Sequence, residues 1–521
     1  SIELIANGLR TPNGIGIGVD GEIFNADNQG DWLPSSKIVH ITPGSFYGSR
    51  AVDFEGTANQ PVKQPMVWLP QDEIGNSPST PLAINDGPYK GQMIHGEVTN
   101  GGIKRVFVEK VNGEYQGCVF HMSLGMEAGV NRLAWGPDGA LYIGGIGNPG
   151  NWSDMVTPDK KWYGLQRLKF NGKSTFEMLA VRAKSNGVEI EFTEPLAEGF
   201  GWNAGEYEVQ QWRYVPTKEY GGPKVDETRL KVLSSSVSKD RRKVFLELAG
   251  MKAGHVVYVH LPYWFESEIG SEIWATEGWY TLNAIPNVSG QKTSPPAAVA
   301  PNSLTASEKA AGWKLLFDGK SMAGWHSFNK KTIGKDWQVQ DGAIYLNAEA
   351  RNKEGWQAAD GGDIVTDAEH ENYELRLDWK IAPCGNSGII YNIVEDPKYQ
   401  YCWETGPEMQ VLDNACHPDA QIEKHRAGEL YDLVGTPYAT VKPAGQWNRV
   451  RLINNKGHVE HWLNGRKVAE VQMTGEEWAK LVAGSKFKEM ADFGKQIKGR
   501  IGLQDHGDKV WFRNVKVRQL K

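Results

Sequence analysis

The sequence predicts an all-β protein of several modules, and three observations predict it. Glycine is abundant, with 60 in 521 residues, as a chain of many tight turns requires. Apolar and polar residues alternate over short runs separated by Asp-Gly and Asn-Gly pairs, which tolerate the positive φ of hairpin turns. Only the stretch 475–483, with Trp478 and Leu481 at i, i+3, has a helical period. The length exceeds what one core fills, so about three or four domains are expected.

Composition narrows the class. With 40% hydrophobic and 23% charged residues the chain is globular rather than disordered. A formal charge of -6 leaves no basic footprint for nucleic acid. No apolar run approaches the ~18 residues that span a bilayer. The 20 tryptophans fit β cores or sugar-stacking surfaces. Cys118, Cys384, Cys402 and Cys416 form no CxxC pair. They are expected as free buried thiols, with one disulfide among the last three as the alternative. Residue 1 is Ser, and a processed or trimmed product is expected.

The first 175 residues contain an internal echo. Asn13-Gly14-Ile15-Gly16-Ile17-Gly18-Val19-Asp20-Gly21-Glu22-Ile23-Phe24 matches Asn131-Arg132-Leu133-Ala134-Trp135-Gly136-Pro137-Asp138-Gly139-Ala140-Leu141-Tyr142, strand, turn and strand in both copies. The copies lie about two and a half propeller blades apart, at roughly 40–50 residues per blade. With Asp27-Asn28-Gln29-Gly30-Asp31-Trp32 and Gly44-Ser45-Phe46-Tyr47-Gly48, this stretch resembles the closing blades of a soluble glucose/sorbosone dehydrogenase-type β-propeller. A partial β-propeller at 1–175 is therefore expected, its open sheet edges covered by a second chain or fragment that completes it. No quinone ligands can be placed here, and no redox activity is assigned.

Residues 176–286 read as an immunoglobulin- or fibronectin-like β-sandwich. Val188, Ile190 and Phe192 alternate, as do Val244, Leu246 and Leu248. Residues 287–311, with Ser294-Pro295-Pro296-Ala297-Ala298-Val299-Ala300-Pro301, form a Pro/Ala-rich linker.

From residue 312 the pattern resets. Strands are expected at Tyr373–Lys380, Gly388–Val394, Glu408–Leu412, Arg449–Asn454, His458–Leu463, Gly499–Gln504 and Val510–Arg518. Motifs punctuate them: Leu316-Phe317-Asp318-Gly319-Lys320, Gly385-Asn386-Ser387-Gly388-Ile389, Gly406 through Asp413, Gly445-Gln446-Trp447-Asn448, Glu460-His461-Trp462-Leu463-Asn464-Gly465, Ser485-Lys486-Phe487 and Gly502 through Gly507. On these motifs residues 312–521 resemble the 3-keto-disaccharide hydrolase family, with a concanavalin/laminarinase-like jelly-roll. The chain departs from that pattern at Asn392, where an Arg is the common residue.

The resemblance implies cleavage of glycosides oxidised at carbon 3, by C2 proton abstraction, elimination and hydration. Such chemistry needs a base tuned to the working pH and positive charge or donors at the ketone oxygen. On the strand Glu408–Leu412, Glu408, Gln410 and Leu412 share one face, Met409 and Val411 the other. Gln504 and His506 likewise share a face. Glu408, His506 and His461 are the candidate catalytic residues. Gln410, Gln504, Asn386, Tyr391 and Asp413 are the candidate substrate contacts. Trp403, Tyr401 and Tyr431 are further stacking candidates. The bland alternatives are a solvated carboxylate at 408, a structural histidine at 461 and turn-forming roles for Asp413, Asn386 and His506. Glu408, His417, Asp419, His425, His461 and His506 have the residue types of a divalent metal ion site, without a tight motif. A structural calcium, in the jelly-roll or at Asp27–Asp31, is the other cofactor expectation.

An enzyme exported to the periplasm or cell surface is the leading expectation. The alternatives are a non-catalytic carbohydrate-binding module and a structural subunit of a surface assembly. A convergent histidine and carboxylate would favour the enzyme. Aromatics and amides alone would favour the binder.

Overall fold

The structure is a computed structural model. It describes residues 2–123, 126, 128–146, 164–295, 300–436 and 440–520. The chain divides into two units, Ser1–Pro296 and Ala297–Lys521, with the division inside the expected linker. Both are built almost wholly of antiparallel strands. Among the described residues no helix is long and apolar enough to cross a membrane.

In the first unit, β1 (Pro12–Ile17), β2 (Ile23–Asp27), β3 (Ser36–His40) and β4 (Val67–Leu69) form one four-stranded blade. A second blade holds β5 (Pro78–Ala83), β6 (Met93–Glu97), β7 (Ile103–Val111) and β8 (Glu114–Ser123). A third sheet holds β9 (Gly129–Trp135), β10 (Leu141–Ile146) and β11 (Gly164–Leu168). β1, β5 and β9 lie side by side at the inner edge. The echoed asparagines meet there, Asn13 Nδ2 donating to Asn131 Oδ1 at 3.1 Å. Gly14 and Gly16 permit the approach, because a Cβ on either would overlap the main chain of Thr80 or Pro81.

The sandwich follows. β12 (Met178–Lys184), β13 (Gly187–Phe192), β17 (Lys243–Ala249) and β16 (Lys231–Val237) form one sheet in that order. Opposite run β15 (Val225–Arg229), β14 (Glu208–Arg213), β18 (His255–His260) and β19 (Glu277–Leu282). Lettered A to G along the chain, the two orders are A-B-E-D and C′-C-F-G, an immunoglobulin-type arrangement. Val188, Ile190, Val244 and Leu246 point into its core, as their alternation predicts.

The boundary expected between residues 175 and 176 does not separate two bodies. β19 pairs with β8, Tyr280 opposite Cys118, so blade and sandwich share one eight-stranded sheet. The reason is that a blade's outer strand carries unpaired backbone groups, and the last sandwich strand satisfies them. Arg105 fastens the same junction. Fully buried, it donates from Nη1 to Gln92 Oε1 at 2.6 Å and to the Leu179 carbonyl at 2.8 Å, and pairs with Glu177 Oε2 at 3.1 Å.

The second unit is a two-sheet jelly-roll. Its strands are β20 (Lys314–Leu315), β21 (Trp325–Ser327), β22 (Trp337–Gln340), β23 (Ala343–Leu346), β24 (Ile364–Thr366), β25 (His370–Glu371), β26 (Tyr373–Ile381), β27 (Asn386–Ile393), β28 (Glu408–Leu412), β29 (Asn448–Asn455), β30 (His458–Leu463), β31 (Arg466–Gln472), β32 (Lys498–Leu503) and β33 (Val510–Gln519). One sheet runs β22-β23-β33-β26-β29-β30-β31, with β20 also on β33. The other runs β21-β24-β32-β27-β28, with β25 also on β32. Between them Leu375, Leu377, Trp379, Ile389, Met409, Val411, Leu452, Ile501 and Leu503 form the core. The Asn464-Gly465 turn has φ of 53° and 84°, as its sequence predicts.

Candidate active site

The candidate site lies on the face of the β21–β28 sheet turned away from the core. Strand alternation builds it. Met409 and Val411 of β28 point inward, so Glu408 and Gln410 point outward. On the neighbouring strand Gly388 lies opposite Gln410. A Cβ at Gly388 would overlap the Glu408 carboxylate, which therefore rests on bare backbone. Beyond β27, Gln504 continues β32 and donates from its amide to Glu408 Oε2 at 3.4 Å.

Glu408 is 6% exposed. Burial raises its proton affinity, moving its pKa to about 8. Lys486 opposes the shift, Asp363 and Asp419 add to it, and the Gln504 hydrogen bond opposes it. Asp363 is itself buried, with a pKa raised to about 6 by desolvation. It accepts from the Cys402 thiol at 2.9 Å and from the Asp505 N–H at 3.0 Å.

Beyond the outer edge of β28, the 428–431 segment bonds along the strand, the Tyr431 N–H donating to the Glu408 carbonyl at 3.0 Å. The Tyr431 hydroxyl donates to Asp419 Oδ2 at 3.2 Å. The Lys486 ammonium lies 4.0 Å from the centre of the Tyr431 ring. Asp432 anchors this corner, accepting from the Lys486 main chain at 2.7 Å and pairing with His425 Nε2 at 3.0 Å. On the β32 side, His506 packs against Trp356 at 5.8 Å between ring centres. Burial lowers its proton affinity, and Asp508 opposes this.

Of the residues expected to converge, Gln410 shares the strand face of Glu408 and Gln504 bonds to Glu408 at 3.4 Å, while His506 lies beyond the end of β32 and Asn386 begins β27 opposite Leu412. Gln504 Oε1 and Asn386 Oδ1 are buried without a protein partner among the described residues, and can accept from sugar hydroxyls.

Three candidates belong elsewhere. His461 and Tyr391 lie on the inner faces of their strands, fully buried in the core. The His461 Nδ1–H donates to the Gly428 carbonyl at 3.1 Å and Nε2 accepts from the Tyr391 hydroxyl at 2.9 Å. Desolvation holds the imidazole neutral, its pKa lowered to about 4. Asp413 forms a turn, accepting from the Cys384 N–H at 2.8 Å and the Ala415 N–H at 3.2 Å. Asn392 is also interior, at a bulge with φ of 57°, where its Oδ1 accepts from Asn454 at 2.8 Å.

Asp363, Cys402 and Lys486 were not assigned chemistry from the sequence. Lys486 stood within a motif but outside any strand, so no period gave its direction. The metal-type residues do not assemble. Among the described residues, no three of Glu408, His417, Asp419, His425, His461 and His506 bring donor atoms within 4.8 Å of one another. His417 caps the 418–421 turn instead, its Nδ1 accepting from the Asp419 N–H at 3.2 Å. Asp27, proposed for calcium, accepts from the N–H groups of Arg10 and Thr11.

The expectation of free thiols fails for two cysteines. Cys384 and Cys416 are bonded across 32 residues, while Cys118 and Cys402 are free and buried. The bridge pins the loop carrying His417 and Asp419 to the start of β27. Loss of the bridge in a Cys384→Ser/Cys416→Ser variant is expected to cost about 4 kcal/mol for a loop of this length. Denaturant melts of the second unit's transition check it.

Residues 312–518 match the family described as the 3-keto-alpha-glucoside-1,2-lyase-like domain. A 3-keto-disaccharide hydrolase from Bacteroides thetaiotaomicron is 35% identical over 244 residues, 42% of this chain and 82% of the relative. The chain belongs to the 3-keto-disaccharide hydrolase family. This membership makes it a carbohydrate-active enzyme. A crystal structure from Parabacteroides distasonis, of a protein assigned to the glycosyl hydrolases, is 36% identical, covering 43% of this chain and 100% of that one with a TM-score of 0.38. A Thermus thermophilus structure described as a glucose dehydrogenase is 24% identical, covering 32% of this chain and 46% of that one with a TM-score of 0.25.

Proposed function

We propose that this member of the family cleaves glycosides carrying a ketone at carbon 3, with Glu408 as the base. The carrying observation is the Glu408 carboxyl, buried on a polar sheet face with the charge of Lys486 acting on it. The ketone acidifies the C2 hydrogen. Glu408 takes that proton, and the electron pair moves to the ketone oxygen, where Lys486 supplies positive charge. The C1–O bond then breaks as C1=C2 forms and the ketone returns, and the departing oxygen takes a proton. Water adds at C1, and a proton returns to C2.

A base must be ionised to act. With the Glu408 pKa raised to about 8, kcat/KM is expected to climb with pH and level off above about 8. The test is to incubate the full chain with 3-keto-trehalose or a 3-keto-glucoside across this range, with and without chelator. Release of free sugar along that profile supports the proposal. Saturable binding of unoxidised glycan without turnover would replace it with the binding-module alternative.

The Cys384–Cys416 bridge supports export to the periplasm or cell surface, where disulfides persist. A second chain over the blades remains part of the proposal. Ile15, Ile17 and Ile23 on the first blade are 67%, 62% and 45% exposed, and Leu165 on β11 is 75% exposed.

A further inference from the structure

The two sides of Glu408 differ in chemistry, and the difference orients a substrate of two rings. This inference rests on the proposed function. Across the sheet, Gln504 and His506 lie on the β32 side of Glu408, and Tyr431 lies beyond the outer edge of β28. The outer side is polar and charged, with Lys486, Tyr431 and Asp419. The β32 side carries a wall of half-buried aromatic rings.

The wall is built rather than incidental. Tyr401 and Trp403 stack with centres 5.0 Å apart and planes 7° apart. Trp356 meets Tyr401 edge-on at 5.3 Å and touches His506. One oxygen of Glu354 fixes two of the rings, accepting from Trp356 Nε1 at 3.2 Å and from the Tyr401 hydroxyl at 3.1 Å. Cys402, between the two stacked residues, donates to Asp363 at 2.9 Å, so the turn that carries the wall also holds the buried acid.

Enolate formation places negative charge on the ring that holds the ketone, and such charge needs a cation beside it. A leaving sugar stays uncharged and offers its C–H face to aromatic rings. The geometry points to one orientation: the keto ring toward Lys486 and Tyr431, the departing ring against Trp356, Tyr401 and Trp403.

The test compares two substrates on the full chain, a 3-keto-disaccharide and methyl 3-keto-glucoside, whose departing group has no ring. Trp356→Ala is expected to lower kcat/KM on the disaccharide about 10-fold, mainly through KM, and to leave the methyl glycoside within about twofold. Trp356→Phe, which keeps an aromatic face, is expected to recover most of the loss. Equal losses on both substrates in the Phe variant would overturn the orientation, as would an unaffected disaccharide. A wild type that turns over neither substrate would overturn the proposed function itself.

Discussion

Glu408→Gln is expected to lower kcat/KM on 3-keto-glycosides by about 10²–10⁴-fold while making the protein more stable at pH 8. The two effects share one cause. The amide keeps the shape of the side chain but cannot accept the C2 proton. It also escapes the cost of ionising a carboxyl without water. In the folded chain the Glu408 pKa is raised from 4.5 to about 8. Its contribution to stability is therefore full below about pH 4.5 and is lost progressively up to about pH 8, by as much as about 5 kcal/mol. The variant and the wild type should thus melt together at pH 4.5 and diverge as pH rises, the variant melting higher. Thermal melts at pH 4.5, 6 and 8 beside the activity assay check both halves. An inactive variant that gains no stability at pH 8 would show that ionising Glu408 does not cost the fold stability.

Lys486→Met is expected to lower kcat by about 10²–10³-fold, the scale of losing one group that stabilises developing negative charge. A second readout separates this role from mere packing. Lys486 holds the Glu408 pKa down against desolvation, so its removal should move the rising limb of the pH profile to higher pH. Lys486→Arg keeps the charge and should return the limb close to its original place. A pH-independent loss would make Lys486 only a support for Tyr431, over whose ring it lies at 4.0 Å.

The sequence made one half of the site readable because strands have a period of two. Glu408 and Gln410 against Met409 and Val411 is a local pattern, and so is Gln504 with His506. The same period could have excluded His461, which shares a strand face with Val459 and Leu463, all three buried. Chemical type outweighed direction there. Tyr391 follows Ile389 on the same inner face for the same reason. The other half depends on contacts between distant segments. Lys486 reaches the site because Asp432 binds its main chain at 2.7 Å, and nothing in residues 484–488 encodes that bond. Cys384 could have paired with Cys402 as readily as with Cys416 on sequence grounds, since all three lie in one module. The pairing of β8 with β19 spans most of the first unit, beyond the reach of any local pattern.

That pairing has a consequence for how such a chain is inherited. A blade that has taken the last sandwich strand as its neighbour cannot be passed on without the sandwich. Cutting the gene between them would leave both partners with a raw edge. Recombination that respects folded bodies can cut near residue 296, where the chain divides into its two units. The blades and the sandwich should therefore travel together as one heritable cassette, while the jelly-roll is free to appear beside other neighbours.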